Sequence, residues 1–553
     1  MGIVSAIESL KKWIDSFIDK SDMFTKQLNE KVSNLNARLD EMAAEAAAKR
    51  ELEKSQSKSS IKNKKANVVS RSKAKQQKDD TKPKEDSSIV KGILVTDIDT
   101  LIKKGISESD FSNKKSMTTV IIPNGVTKIK SYAFMGCTSL KSVVVPKSVT
   151  EIGSCAFEKC KSLEMVDITD GLIKIEEAAF VDCQKLKSIT IPSSVISIGK
   201  MAFLRCKELH SVTIPNGVTT IGDNAFEYCR NLKSITLPAS VTSIGMEVFN
   251  GCECLTTIIV DKNNTTYDSR NECNAIIETA TNKLLYGCAK TVIPNTVISI
   301  NEKAFNNHSK LLSITIPSNV SSIGRNAFWG CADLMSVTIQ EGVAIIEEGA
   351  FRFCENLRTV IIPDGVTKIS ISAFNACKKL RSVALPNSII EIDAGAFCGC
   401  SGLESITIPN RVTTIGDNAF EYCKNLKSIT IPASVTSIGE KVFYDCECLA
   451  TIIVDKNNTT YDSRNECNAI IETATNKLLY GCAKTVIPNT VISINDRAFF
   501  GCRQLRSIKI PESVIEIGEY AFGFCDTLTS ISIPKSVTKI SSNAFEGCDS
   551  LKL

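Results

Sequence analysis

"SITIPASVTSIGEKVFYDC" occupies Ser428–Cys446, and "SITLPASVTSIGMEVFNGC" occupies Ser234–Cys252. Looser copies of the phrase fill most of the 553 residues. The proline that closes "ITIP" marks the register. It falls at Pro123, Pro146, Pro192, Pro215, Pro238, Pro294, Pro317, Pro363, Pro386, Pro409, Pro432, Pro488, Pro511 and Pro534. Thr169, Asp261, Gln340 and Asp455 stand at the remaining anchor positions, which gives 18 units. Anchors are 23 residues apart, except for two steps of 33, from Asp261 to Pro294 and from Asp455 to Pro488. Length alone suggests several globular domains, but a fixed period replaces that reading with one array of stacked units.

Each fixed residue of the unit has a physical reading. In Leu426–Pro432, Leu426, Ile429 and Ile431 face inward, whereas Ser428 and Thr430 face outward, the period of two expected of a strand. Proline has no N–H and suits the point where a ladder stops. Val435 and Ile438 carry the core through the turn. Gly439 is expected to supply a backbone conformation that other residues adopt at a cost. Phe443 and Cys446, three apart, predict one side of a short helical turn. A single unit cannot bury its own apolar edge, so the units stack. The consensus L-x-S-I-T-I-P-x-x-V-T-x-I-G-x-x-A-F-x-x-C resembles the BspA-type leucine-rich repeat. It differs from the common leucine-rich pattern in lacking a ladder asparagine and in using Ile and Val for Leu. The resemblance covers 117–553. It implies a curved α+β solenoid with one short parallel strand plus a turn or short helix per unit, used for binding. It also implies a surface or adhesion role of the kind found in bacteria and parasitic protists.

A larger duplication overlies the small one. Val260–Asn301 and Val454–Asn495 are identical and lie 194 residues apart, the length of seven short units and one long one. The extra residues of the long units (261–293 and 455–487) read as β-hairpins at Ala275–Tyr286 and Ala469–Tyr480, because "AIIETA" and "KLLYG" flank "TN". The hairpin is either a tolerated surface insertion or a projecting contact point, present twice.

Ahead of the array the composition changes twice. Residues 1–50 place apolar side chains at steps of three and four, from Ile3 to Ala46, and predict a coiled-coil arm and homo-oligomerisation. Residues 51–90 predict a disordered basic linker; Lys54–Lys78 holds nine basic residues and no acid. Residues 1–88 carry the whole net charge of +5. No aromatics are interleaved with the basic residues, which argues against nucleic acid as a partner. Residues 91–116 read as an N-terminal cap, with a short helix at Thr96–Gly105. The N-terminus lacks a signal-peptide pattern and no apolar run is long enough for a membrane span, so sequence signals alone point to the cytoplasm.

Little in the chain suggests catalysis. There are two histidines, His210 and His308, a poor supply of acid–base groups. The Cys three residues after Phe recurs in fifteen of sixteen units, with His308 in the remaining one. That regularity reads as a buried ladder of small apolar thiols. The C-x-C pairs Cys252/Cys254, Cys398/Cys400 and Cys446/Cys448 lack the spacing of zinc sites. No phosphate or dinucleotide motif is present, so no cofactor or metal is expected. What remains is the outward face of the strands. Lys187, Lys233, Arg358, Arg381 and Lys427 share one register position beside rows of Ser and Thr. They predict a basic stripe for a protein or an extended acidic or hydroxylated ligand. The expectation is therefore a non-enzymatic binding scaffold. The alternatives are a cell-surface adhesin exported without a standard signal peptide, and an enzyme built on a Cys or metal site.

Overall fold

The protein is described by a computed structural model that covers residues 105–106 and 108–551. The coiled-coil arm expected at 1–50, the linker at 51–90 and residues 91–104 of the cap lie outside the described residues.

Each unit makes one three-sided turn. The first side is the strand read from the sequence. Ser428–Ile431 alternates exposed and buried and pairs in parallel with the next turn, Ile429 opposite Ile452. The second side is also a strand, two residues long, where one strand per unit was expected. Ser437–Ile438 pairs in parallel with Thr414–Ile415 one turn back. Between these sides Val435 is fully buried.

The third side corrects the expectation of a helix. Among the described residues the helices are Glu108–Phe111 and two three-residue 3-10 turns, Arg270–Glu272 and Arg464–Glu466. The segment around each Phe is extended along the stack by backbone bonds between turns. Tyr132 N–H donates to the Ser154 carbonyl (3.0 Å), Phe134 to Ala156 (2.8 Å) and Gly136 to Glu158 (2.7 Å). The N–H groups between them close three-residue turns within the unit, Met135 to Tyr132 (3.1 Å) and Cys137 to Phe134 (3.2 Å), so no α-helical ladder forms. Two left-handed residues flank each column Phe from Phe134 to Phe522 and bend the arc, as Asn418 and Tyr422 do around Phe420.

Gly439 has a different purpose from the one expected. Its φ is not left-handed. A Cβ there would stand 2.5 Å from the Asp417 backbone N of the previous turn. The same close approach recurs at Gly222 and Gly416, each 2.5 Å from a backbone N. The glycine lets adjacent turns touch.

Inside, the rings stack. Phe134 and Phe157 have centroids 5.1 Å apart and planes at 2°, and the column continues turn by turn to Phe249. Ile106, which bridges to Ile129, and Phe111, which stacks on Phe134 at 5.2 Å, already hold solenoid positions one turn earlier.

The long units act as seams. Ile276–Glu278 and Lys283–Tyr286 form the antiparallel hairpin, and Lys283–Tyr286 then pairs in parallel with Ser299–Ile300. The hairpin does not project, contrary to both sequence readings, because Ile276, Ile277 and Leu284 are fully buried. Ile276 and Tyr286 pack into the core upstream, and Ile277 and Leu284 into the core downstream. The second copy divides the core again, with Ile470 and Tyr480 on one side and Ile471 and Leu478 on the other. Tyr286 ends the ring column edge-on to Phe249, centroids 5.6 Å apart, and its hydroxyl donates to the Gly245 carbonyl. Asn264 holds the Pro238 and Val241 carbonyls with its amide, both at 2.9 Å. These side chains give the backbone carbonyls at the seam hydrogen-bond partners.

Candidate binding face

The five cations read from the register are all exposed, and the ladders place them in two runs. His210 N–H donates to the Lys187 carbonyl (2.9 Å) and Lys233 N–H to that of His210 (3.2 Å), so Lys187 and Lys233 lie two turns apart. On the far side of the first seam, Glu404 N–H donates to Arg381 (2.9 Å) and Lys427 N–H to Glu404 (3.2 Å). Arg358 and Arg381 border a cleft of about 770 Å³ that also takes Lys378, Lys379 and Glu404. Lys378 pairs with Glu355 at 2.7 Å. Lys427 pairs with Glu404 at 2.8 Å, so a carboxylate within the stripe partly neutralises it. The stripe is thus two basic runs with the seam between them.

Sequence reasoning missed what fills the gap. Leu312 and Met335 occupy the cation position on the two turns before Arg358, and are 53% and 40% exposed. Met335 N–H donates to Leu312 (2.8 Å) and Arg358 N–H to Met335 (2.9 Å), so the three stack in order. Their signal was present as two apolar letters in a basic column.

The thiols are placed for packing. Cys160 donates to the Phe134 carbonyl (3.1 Å) and Cys423 to that of Phe397 (3.3 Å), each across one turn. All 23 cysteines are free. Burial pushes the thiols of Cys183 and Cys354 in the ladder far above their usual range. Outside the ladder, burial and then Glu421 push Cys398 up to about 12. A thiol held protonated is a poor nucleophile and a poor metal ligand. His308 is buried in the ladder and His210 is half-buried on the strand face. Among the described residues no group of three His, Cys, Asp or Glu could hold a metal ion. None of their helices is long and apolar enough to cross a membrane.

The family model for the BspA type leucine rich repeat region matches in six copies, over residues 104–200, 174–281, 278–403, 367–477 and 472–553. The chain belongs to the BspA-type leucine-rich repeat family. Several solved structures resemble this BspA-type chain. A leucine rich cell surface protein from Faecalibacterium prausnitzii is 33% identical over 57% of this chain and 78% of its own, with a TM-score of 0.44. A leucine-rich repeat protein from Eubacterium ventriosum is 26% identical over 55% and 82%, with a TM-score of 0.41. One from Bacteroides ovatus is 26% identical over 79% and 86%, with a TM-score of 0.35. Among curated proteins none matches.

Proposed function

We propose that this repeat scaffold is a non-enzymatic binding protein whose first-sheet face takes an acidic partner. The observation that carries the reading is the pair Arg358 and Arg381 on successive turns, bordering one cleft with Lys378 and Lys379. Single exposed cations contribute little. In a row they act together on a polyanion, with affinity falling as salt rises. Changing Lys187, Lys233, Arg358, Arg381 and Lys427 together to Ser is expected to weaken binding of poly-glutamate at least about tenfold at low salt. Stability should change little, because all five side chains are exposed. Unchanged affinity, measured by fluorescence anisotropy, sinks the reading.

The apolar spacing at 1–50 supports a second element of the proposal, that this arm sets the assembly state. Its deletion should bring the mass in solution to that of one chain and leave the repeats folded. A full-length protein already monomeric at micromolar concentration overturns it. Labelling intact cells with a membrane-impermeant reagent separates a cytoplasmic scaffold from a surface adhesin.

A further inference from the structure

We infer that the first seam builds an apolar centre into the basic face, and that its occupant is an extended segment of a partner protein, apolar in the middle and acidic at both ends. This rests on the binding-face reading above and adds its apolar half.

Ile259, in the last first-sheet strand before the seam, points outward and is 49% exposed. Val292, at the equivalent register position one turn on, is 73% exposed. Its N–H is held by the Cys273 carbonyl of the seam loop (3.0 Å) instead of by a neighbouring strand. Leu312 and Met335 follow on the next two turns, three residues earlier in the unit, where Thr315 and Thr338 hold the register position of Val292, and Ile361, 59% exposed, returns to that position on the turn of Arg358. Lys233 precedes this group and Arg358 and Arg381 follow it, with Lys290 exposed beside Val292. Exposed apolar residues scattered singly need no explanation, whereas several on successive turns of one face, rimmed by charge, mark a contact site. Charge complementarity selects the occupant, since cations at both edges favour acids at both ends of what lies between them.

The dimensions fit a short peptide. From Lys233 to Arg358 is five turns, about 24 Å at ~4.8 Å per strand, which an extended chain crosses in about seven residues. The duplicated block supplies an internal contrast. The second seam repeats Ile453 and Val486 with the same exposure, but Arg506 and Thr529 stand where Leu312 and Met335 stand at the first. The wide apolar centre therefore belongs to the first seam.

The test uses the full chain and three synthetic peptides of about eleven residues. The first has five apolar residues between triplets of Asp and Glu. The second replaces the apolar residues by Ser, and the third replaces the acids by Lys. The first peptide should bind at least tenfold more tightly than either of the others. The double variant L312R/M335T, which copies the second seam, should lose that tenfold while keeping its melting temperature. If the Ser-centred peptide binds equally well and still depends on the five cations, this inference falls and the basic-face reading stands. If the Lys-flanked peptide binds equally well, or no peptide binds, the inference falls too. Sedimentation of the protein alone covers the remaining occupant. A dimer that L312R/M335T dissolves would assign the patch to a second copy and overturn the proposal.

Discussion

Replacing Phe374 with alanine is expected to destabilise the array by ~4 kcal/mol, the middle of the range for emptying an aromatic core position. Phe374 is fully buried. It stacks between Phe351, with centroids 5.4 Å apart at 8°, and Phe397, at 5.5 Å and 4°. Sites that collapse around a deletion lose less, but this one cannot. The backbone ladder through Phe374 N–H to the Ala396 carbonyl (2.8 Å) and from Phe351 N–H to Ala373 (2.8 Å) fixes the turn spacing. The hole therefore remains, and the rings above and below lose contacts on one side. Each turn of a solenoid touches only its neighbours, so the loss falls on one coupling. The expected signature is a single urea transition that splits into two, read by circular dichroism. F374L should restore part of the loss. A midpoint shifted by less than ~0.5 M, with one transition retained, would show that the ring column is not what couples the turns.

The parts of the fold that sequence made legible are those where one residue does one thing. Ile429 and Ile431 alternate with Ser428 and Thr430, so the first sheet could be read directly. The second sheet could not, because Ser437–Ile438 is two residues long and alternation needs more. The third side was misread because Phe443 and Cys446, three apart, fit a helical turn as well as an arc. What separates the two is the bond pattern: Cys446 N–H donates three residues back to the Phe443 carbonyl (3.2 Å), and in the regular turns every second N–H goes to the neighbouring turn, so no α-helical ladder forms. Gly439 was read as a φ position because glycine serves both φ and close approach, and only the distance to Asp417 decides. The hairpins were read correctly as strands and wrongly as surface. Ala275, Ile276 and Ile277 are consecutive apolar residues, and such a run faces two cores at once when it stands between them. A column of letters cannot show that Glu404 pairs with Lys427 or that Leu312 and Met335 are exposed within the same column.

His308 is expected to make the protein acid-sensitive in a window that H308C removes. It stands where fifteen other units have Cys, it is 2% exposed, and its Nδ1 has no hydrogen-bond partner. Burial lowers its pKa from 6.5 to about 4, and a backbone contact with Cys252 offsets only part of that. The sign follows from proton counting. Between pH 6.5 and about 4 the unfolded chain binds a proton that the folded one refuses, so stability falls as pH falls. The contribution is whole above pH 6.5 and lost below about 4, a total of about 3 kcal/mol, of which about 2 is gone by pH 5. Carboxylates also titrate near the lower end of this window, so the wild-type curve alone does not isolate the histidine. The duplicated block provides the control, because Cys502 is the equivalent residue at the second seam and is accommodated there, buried, with its thiol directed at the Gly481 carbonyl at 3.9 Å. H308C therefore copies a packing arrangement the chain already uses. At pH 7.5 the two proteins should have similar urea midpoints. At pH 5 the variant should be more stable than wild type by about 2 kcal/mol. Equal acid slopes for the two would mean that the imidazole finds water or a proton acceptor inside the ladder, and that its burial is not what sets its charge.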